Sequence, residues 1–170
     1  VQTAIPMQNP RRSDWDVTNT VQVSSPAAVR IAVAQLVEQT WPRTPLDALD
    51  ASFARFDDMF AGRCPDYVGV DTLYHDTQHT LDITLAMARL CVGYERQAPP
   101  EARFGAERVL VGLITALFHD VGYLRERSDE QASNGAEFTR THVSRGARFL
   151  AQWLPQVGLG HWVATVDELI

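Results

Sequence analysis

The segment LYHDTQHTLDITLAM, residues 73–87, combines two histidines with apolar residues that recur at helical spacing. A separation of four residues would place His75 and His79 on one face of a helix, about one turn apart. Asp82 follows three residues after the second histidine and could hold a neighbouring imidazole in one tautomer. A lone histidine on a helix usually has an ordinary core or surface role, whereas this pair favours a functional site.

A second segment, LITALFHDVGY at residues 113–123, ends an apolar run on a His-Asp pair. Ten mostly apolar residues, 109–118, lead directly into His119 and Asp120 and predict a buried helix. Burying a carboxylate without a partner destabilises the folded state by several kcal/mol, so Asp120 needs a compensating group. A divalent metal is suitable, because imidazole and carboxylate together bind Zn, Mn, Fe or Mg. The alternative is a helix end at the surface, where Asp120 is simply solvated.

The remaining pattern predicts an all-α protein built from packed helices. Residues 1–25 mix Pro, Asn, Ser and Thr without periodicity and predict an irregular N-terminal arm or linker, while residues 26–170 form one domain. Apolar spacing and turn residues predict helices at 27–39, 46–61, 74–94, 106–118 and 136–153, with a last one starting near 160. That last pattern still runs at the end of the chain, so we expect further C-terminal helices beyond it.

Composition disfavours several classes of function. The net charge of −6 and the lack of basic runs disfavour a groove for duplex nucleic acid. Cys64 and Cys91 are the only cysteines and lie in no motif, which indicates buried or half-buried thiols and a reducing compartment. No signal peptide or membrane span is visible, so the cytoplasm is the default location.

The two histidine segments together resemble the HD superfamily of metal-dependent phosphohydrolases. YHDTQHTLDI, residues 74–83, is similar to the Tyr-His-Asn-x-x-His-x-x-Asp-Val motif of cyclic-nucleotide phosphodiesterase catalytic domains, with Asp76 in place of Asn. ALFHDVGY matches the next motif of that family, an apolar helix that ends in His-Asp. The resemblance covers residues 67–153, about half of the chain, and implies that residues 26–170 form an HD-domain helical bundle.

The resemblance also implies a role for each matching residue. It assigns His79, His119 and Asp120 as metal ligands, and His75 as the general acid that protonates the leaving oxygen. The implied reaction is hydrolysis of a small phosphorylated substrate, a phosphodiester such as a cyclic nucleotide or another phosphoester, by a metal-activated water. Imidazole titrates near neutral pH, which suits a histidine to this proton transfer. The metal is Mg, Mn, Zn or Fe, and the oligomeric state is not predicted.

The chain departs from the family pattern after the His-Asp pair. Gly122 and Tyr123 stand where phosphodiesterases usually have another histidine. Asp167 is the one late aspartate in the sequence that could complete the metal shell, and a residue beyond Ile170 is the alternative. His142, followed four residues later by Gly146, resembles a second-metal ligand of some two-metal HD proteins. The alternative is a surface histidine on an amphipathic helix.

There are three alternative interpretations, and the sequence disfavours the second of them. A regulatory or nucleotide-binding module could keep the HD fold without turnover. An HD-fold di-iron oxygenase would need more histidine ligands than the chain offers. A plain helical bundle would hold its histidines by ordinary hydrogen bonds.

Overall fold

A computed structural model describes residues 13–169 of the chain. Within that range six α-helices are joined by turns and short 3₁₀ segments, without any extended strand, and two isolated β-bridges occur in the connections. The all-α prediction is therefore confirmed. None of these helices is long and apolar enough to cross a membrane. The helices are α1 (Pro26–Thr40), α2 (Asp47–Phe60), α3 (Thr77–Gln97), α4 (Ala106–Phe118), α5 (His142–Gln156) and α6 (Val163–Asp167).

Helix α4 forms the centre of the core, as its apolar sequence predicts. It packs against α2, α3 and α5, and the side chains of Leu113, Ile114 and Leu117 are fully buried. The ring of Phe118 contacts Phe56 and two aromatic residues of α5. Each such side chain contributes roughly 1.5–3 kcal/mol through burial. The end of α4, where His119 and Asp120 follow, is thereby held at a fixed position in the domain.

The histidine-bearing helix begins later than predicted. We expected residues 74–94 to be helical, but α3 begins at Thr77. The Asp76 side chain accepts a hydrogen bond from the backbone N–H of His79 at 2.7 Å and caps the helix. Aspartate and asparagine are both favoured at this position, because either one satisfies an N–H group that the helix leaves without a partner. His75 therefore precedes the helix, and the prediction that both histidines lie on one helical face is wrong.

The single helix expected at residues 136–153 is divided in two. Gly135–Arg140 forms a 3₁₀ segment, Thr141 leaves the helical path with φ −124° and ψ −6°, and α5 begins at His142. The hydroxyl of Thr139 donates to the Ala136 carbonyl at 2.7 Å. Hydroxyls that bond to nearby carbonyls in this way compete with α-helical hydrogen bonding. The break places His142 at the start of α5.

A structured loop precedes α1. The first twelve residues of the predicted arm lie outside the described range, and residues 13–25 contain no helix. The buried carboxylate of Asp16 accepts hydrogen bonds from Thr20 and Val21 N–H groups and pairs with Arg89 of α3 at 2.7 Å. Ser25 then caps α1. Residues 13–25 are thus held against the helical domain, and the domain boundary at residue 26 stays a prediction.

Candidate metal centre

Three imidazole rings converge on one buried carboxylate oxygen. The Oδ2 atom of Asp120 lies 2.7 Å from Nδ1 of His75, 3.0 Å from Nε2 of His119 and 3.4 Å from Nε2 of His79. The Asp120 side chain is 5% exposed. The two histidine segments, forty residues apart in the sequence, therefore meet at a single site.

Packing of α3 against α4 creates this convergence. His119 and Asp120 directly follow the last residue of α4, and the apolar side chains of that helix fix their position. His79 lies in the first turn of α3 and His75 lies just before its cap. The start of α3 thus faces the end of α4, and each helix supplies part of the site.

The tautomer of His119 follows from its hydrogen bonds. Its Nδ1 lies 2.8 Å from the carbonyl oxygen of Ala116, and a carbonyl can only accept, so Nδ1 carries a proton. In a neutral ring Nε2 is then an acceptor, yet it faces the Asp120 carboxylate. Two acceptors at this distance require a proton or a cation between them. A histidine that binds a metal through one ring nitrogen usually donates a hydrogen bond from the other nitrogen to a backbone carbonyl or carboxylate, which fixes its tautomer and orientation.

Asp120 supplies a negative charge at the centre of the site. Burial by itself would raise the pKa of Asp120, but hydrogen bonds and charge interactions with His119 and His75 lower the pKa to about 2. Burial would likewise lower the pKa of His119, and the hydrogen bonds to Asp120 and Ala116 raise it above its ordinary value. Asp120 is therefore ionised at neutral pH. An ionised carboxylate among imidazoles is a donor set that suits Zn, Fe or Mn.

The residues that could hold a metal ion overlap with the predicted ligands. Among the described residues, the ligand atoms of His75, His79 and Asp120 lie within 4.8 Å of one another and could hold an ion. His119 approaches the same Asp120 oxygen. The set includes His75, for which the resemblance implies a role as general acid. The division of these four residues into ligands and a proton donor stays a prediction.

Tyr123 separates His142 from this cluster. The ring of Tyr123 is stacked on His75, with centroids 4.2 Å apart, and on His142, with centroids 4.3 Å apart. Nδ1 of His142 lies 2.8 Å from the carbonyl oxygen of Thr139. His142 is consequently not among the residues that converge on Asp120, and its predicted role as a ligand is untested.

Gly122 allows the start of α5 to approach the turn that follows His119 and Asp120. A Cβ atom at this position would overlap the carbonyl oxygen of His142. Arg145 of α5 secures the same turn, since its guanidinium donates to the carbonyls of Gly122 and Leu124 at 2.9 Å each and pairs with Asp129 at 2.8 Å. Sequence reasoning missed both roles. It treated Gly122 and Tyr123 only as replacements for a histidine.

Several other residues lie away from this cluster. His161 is exposed and pairs with Glu107, at the start of α4, at 2.9 Å. Asp167 is exposed at the end of α6 and outside the converging group. Cys64 and Cys91 are buried and not bonded to each other.

A groove of about 630 Å³ follows α3, and of the four converging residues it is His79 that lines it. His79 and Asp82 line it from the helix, Tyr74 lines it from the preceding turn, and Trp15 and Asp16 line it from the N-terminal loop. The groove therefore reaches the cluster at His79.

Comparisons with known proteins identify no relative. No protein-family model, curated protein or solved structure significantly matches this chain.

Proposed function

We propose that this protein is a metal-dependent phosphohydrolase of the HD superfamily that hydrolyses a small phosphoester, most specifically a phosphodiester. The observation that supports the proposal is the meeting of His75, His79 and His119 at the buried Oδ2 atom of Asp120. The order and spacing of the two motifs alone would not require these side chains to approach one another.

In this proposal His79, His119 and Asp120 hold the metal. Asp120 supplies a negative charge, and His119 presents Nε2 because its Nδ1–H is bound to the Ala116 carbonyl. A bound divalent metal would polarise the phosphoryl group and lower the pKa of a coordinated water toward neutrality. The burial of Asp120 keeps the carboxylate fixed and its charge poorly screened by solvent.

His75 is the proposed general acid. Because ionised Asp120 can only accept, the 2.7 Å contact requires a proton on Nδ1 of His75. This bond orients the ring. In the imidazolium form, the Nε2–H group would deliver its proton to the departing oxygen and leave a neutral ring with its proton on Nδ1. The His75 side chain is 32% exposed, so a substrate oxygen can reach it.

Hydrolysis of bis(p-nitrophenyl) phosphate, measured with added Mg²⁺, Mn²⁺, Zn²⁺ or Fe²⁺, tests the proposal. We expect turnover by the wild-type protein that falls by about 10²-fold or more in His75→Ala and is lost in His79→Ala. His161→Ala is the matched control, because that histidine is exposed and paired with Glu107. Equal activity in wild type and His79→Ala would exclude the proposed site.

A non-catalytic module that binds a metal or a nucleotide is the second candidate. One observation favours it: Tyr123 fills the space between His75 and His142, so the latter histidine is kept away from the cluster. Metal binding that depends on His79, without turnover of any phosphoester, would support this alternative.

A further inference from the structure

The loop before α1 is built as a wall of the groove. Asp16 lies at its centre with a side chain that is 3% exposed, paired with Arg89. The side-chain amide of Gln78 donates to the carbonyl of Ser13 at 2.8 Å, and Trp15 forms an isolated β-bridge with Gln22. Because these contacts tie the loop to α3 at two points, the position of Trp15 is fixed relative to the candidate metal centre.

Two large aromatic side chains are exposed on this groove. Trp15 is 48% exposed and Tyr74 is 65% exposed. The ring of Tyr74 lies 4.8 Å from the ring of His79, so the aromatic rim is continuous with the metal-binding cluster. Exposed aromatic residues beside a cavity with a few polar groups are typical of a ligand site.

We propose that Trp15 and Tyr74 form a subsite for a flat aromatic group of the substrate, whose phosphate is held at the His/Asp cluster. The inference rests on the proposed function for the phosphate, and it adds the N-terminal loop as a determinant of specificity. Groove residues Ile83, Leu85 and Ala86 supply an apolar floor. Such a surface can make apolar contacts with an aromatic ring, whereas a free phosphate or a methyl ester would make few of these contacts.

The ligand's charge distribution follows from the same residues. The acidic side chain of Asp16 is neutralised by Arg89, so the aromatic end of the groove has no uncompensated cation from this pair to attract a second phosphate. Asp82 also lines the groove next to His79, so the anionic group belongs at the His79 end when the proposed cation is bound there. A single phosphoester with an aromatic substituent fits both ends.

Calorimetric titration with three probes tests this subsite in the full chain with Mn²⁺ present. The probes are 1-naphthyl phosphate, methyl phosphate and 1-naphthol. We expect the naphthyl ester to bind wild type about tenfold more tightly than methyl phosphate, as stacking on an aromatic side chain supports. Trp15→Ala should abolish that advantage and Trp15→Phe should retain much of it. Tyr94→Ala, an exposed aromatic residue outside the groove lining, is the control and should bind like wild type.

The outcomes separate this inference from the proposed function. Equal affinity of the two esters for wild type, or an unchanged advantage in Trp15→Ala, would overturn the aromatic subsite and leave phosphoester binding intact. A second outcome is that 1-naphthol binds wild type but not Trp15→Ala, while neither the phosphate group of the esters nor Mn²⁺ changes the affinity. This result would support the aromatic subsite and overturn the proposed phosphohydrolase function. Absence of binding by all three probes would overturn both.

Discussion

The ring of Tyr123 lies parallel to the ring of His75, with centroids 4.2 Å apart and planes inclined by 15°. The opposite face of Tyr123 contacts His142 in the same manner, with an angle of 17°. Tyr123 is 5% exposed, so it is a buried spacer between the turn before α3 and the start of α5. The proposed general acid is therefore held on one side by a hydrogen bond to Asp120 and on another by an aromatic face.

Tyr123→Ala should lower both stability and turnover. Removing a buried aromatic ring costs about 3–5 kcal/mol, and His75 loses the surface that limits its rotation. Tyr123→Phe keeps the ring and should retain most of the wild-type kcat. Thermal unfolding and phosphodiester hydrolysis measure the two effects. A Tyr123→Ala protein with reduced Tm but wild-type kcat, assayed below its Tm, would show that the stack does not position His75.

His79→Ala should remove the bound metal, whereas His75→Ala should retain it. The proposal makes His79 a ligand and His75 a proton donor, and the 2.7 Å contact with Asp120 alone does not distinguish these roles. Elemental analysis of both variants, after equilibration with added Mn²⁺ or Zn²⁺, gives the metal content, with His161→Ala as the control. Loss of metal from His75→Ala would reassign His75 as a ligand, and unchanged metal in His79→Ala would contradict the proposed site.

Gly122→Ala should destabilise the protein by about 3 kcal/mol, the upper range for overpacking. The added Cβ would overlap the His142 carbonyl, which belongs to the backbone and cannot rotate away. Gly93→Ala is the matched control, since a Cβ at this helical position meets no atom within 4 Å and should stabilise the helix by up to about 1 kcal/mol. Urea unfolding of both variants measures the difference. Similar midpoints for the two variants would mean that α5 does not approach the turn this closely.

Asp16 should make the free energy of unfolding depend on pH. Burial by itself would raise the pKa of Asp16, but hydrogen bonds from Thr18, Val21, Arg89 and Thr20 outweigh it and lower the pKa below its ordinary value of 3.8. The folded state therefore binds this proton more weakly than the unfolded state, so the stabilisation is present above pH 3.8 and is lost as the pH falls below it.

Asp16→Asn tests this dependence. The variant should be less stable than wild type at pH 6, and the difference in Tm should narrow as the pH approaches 3. Asp14→Asn, which removes an exposed carboxylate from the same loop, serves as the control. A constant difference in Tm between Asp16→Asn and wild type over this range would contradict the prediction.

Helix positions could be predicted from the local sequence pattern, whereas contacts between distant segments could not. The bounds of α4 follow from an apolar run whose length is typical of a buried helix. The predicted range, residues 106–118, is the observed one. The start of α3 was missed because Asp76 was read as part of a motif rather than as a cap. The break at Thr141 and the closeness of Gly122 to His142 depend on contacts between distant segments. No periodicity within one helix can reveal such contacts.

Convergence of the histidines was expected from the resemblance to HD phosphohydrolases, but the partner of each ring was not. Tyr123 and Arg145 hold the site through a ring stack and two carbonyl contacts. Aromatic and arginine side chains at helical spacing are usually core or surface residues, so their positions alone carry no signal of this role.

Because α3 and α4 meet at Asp120, a cation bound there would also affect the stability of the fold. His79 belongs to α3 and His119 follows α4, so an ion shared between them would cross-link two helices that lie apart in the unfolded chain. Ligands that bind only the native state stabilise it by mass action, by about 2.7 kcal/mol at a hundredfold excess over Kd. The heat resistance of this protein would then rise and fall with the free metal concentration around it, and cells starved of that metal would contain more of the unfolded chain.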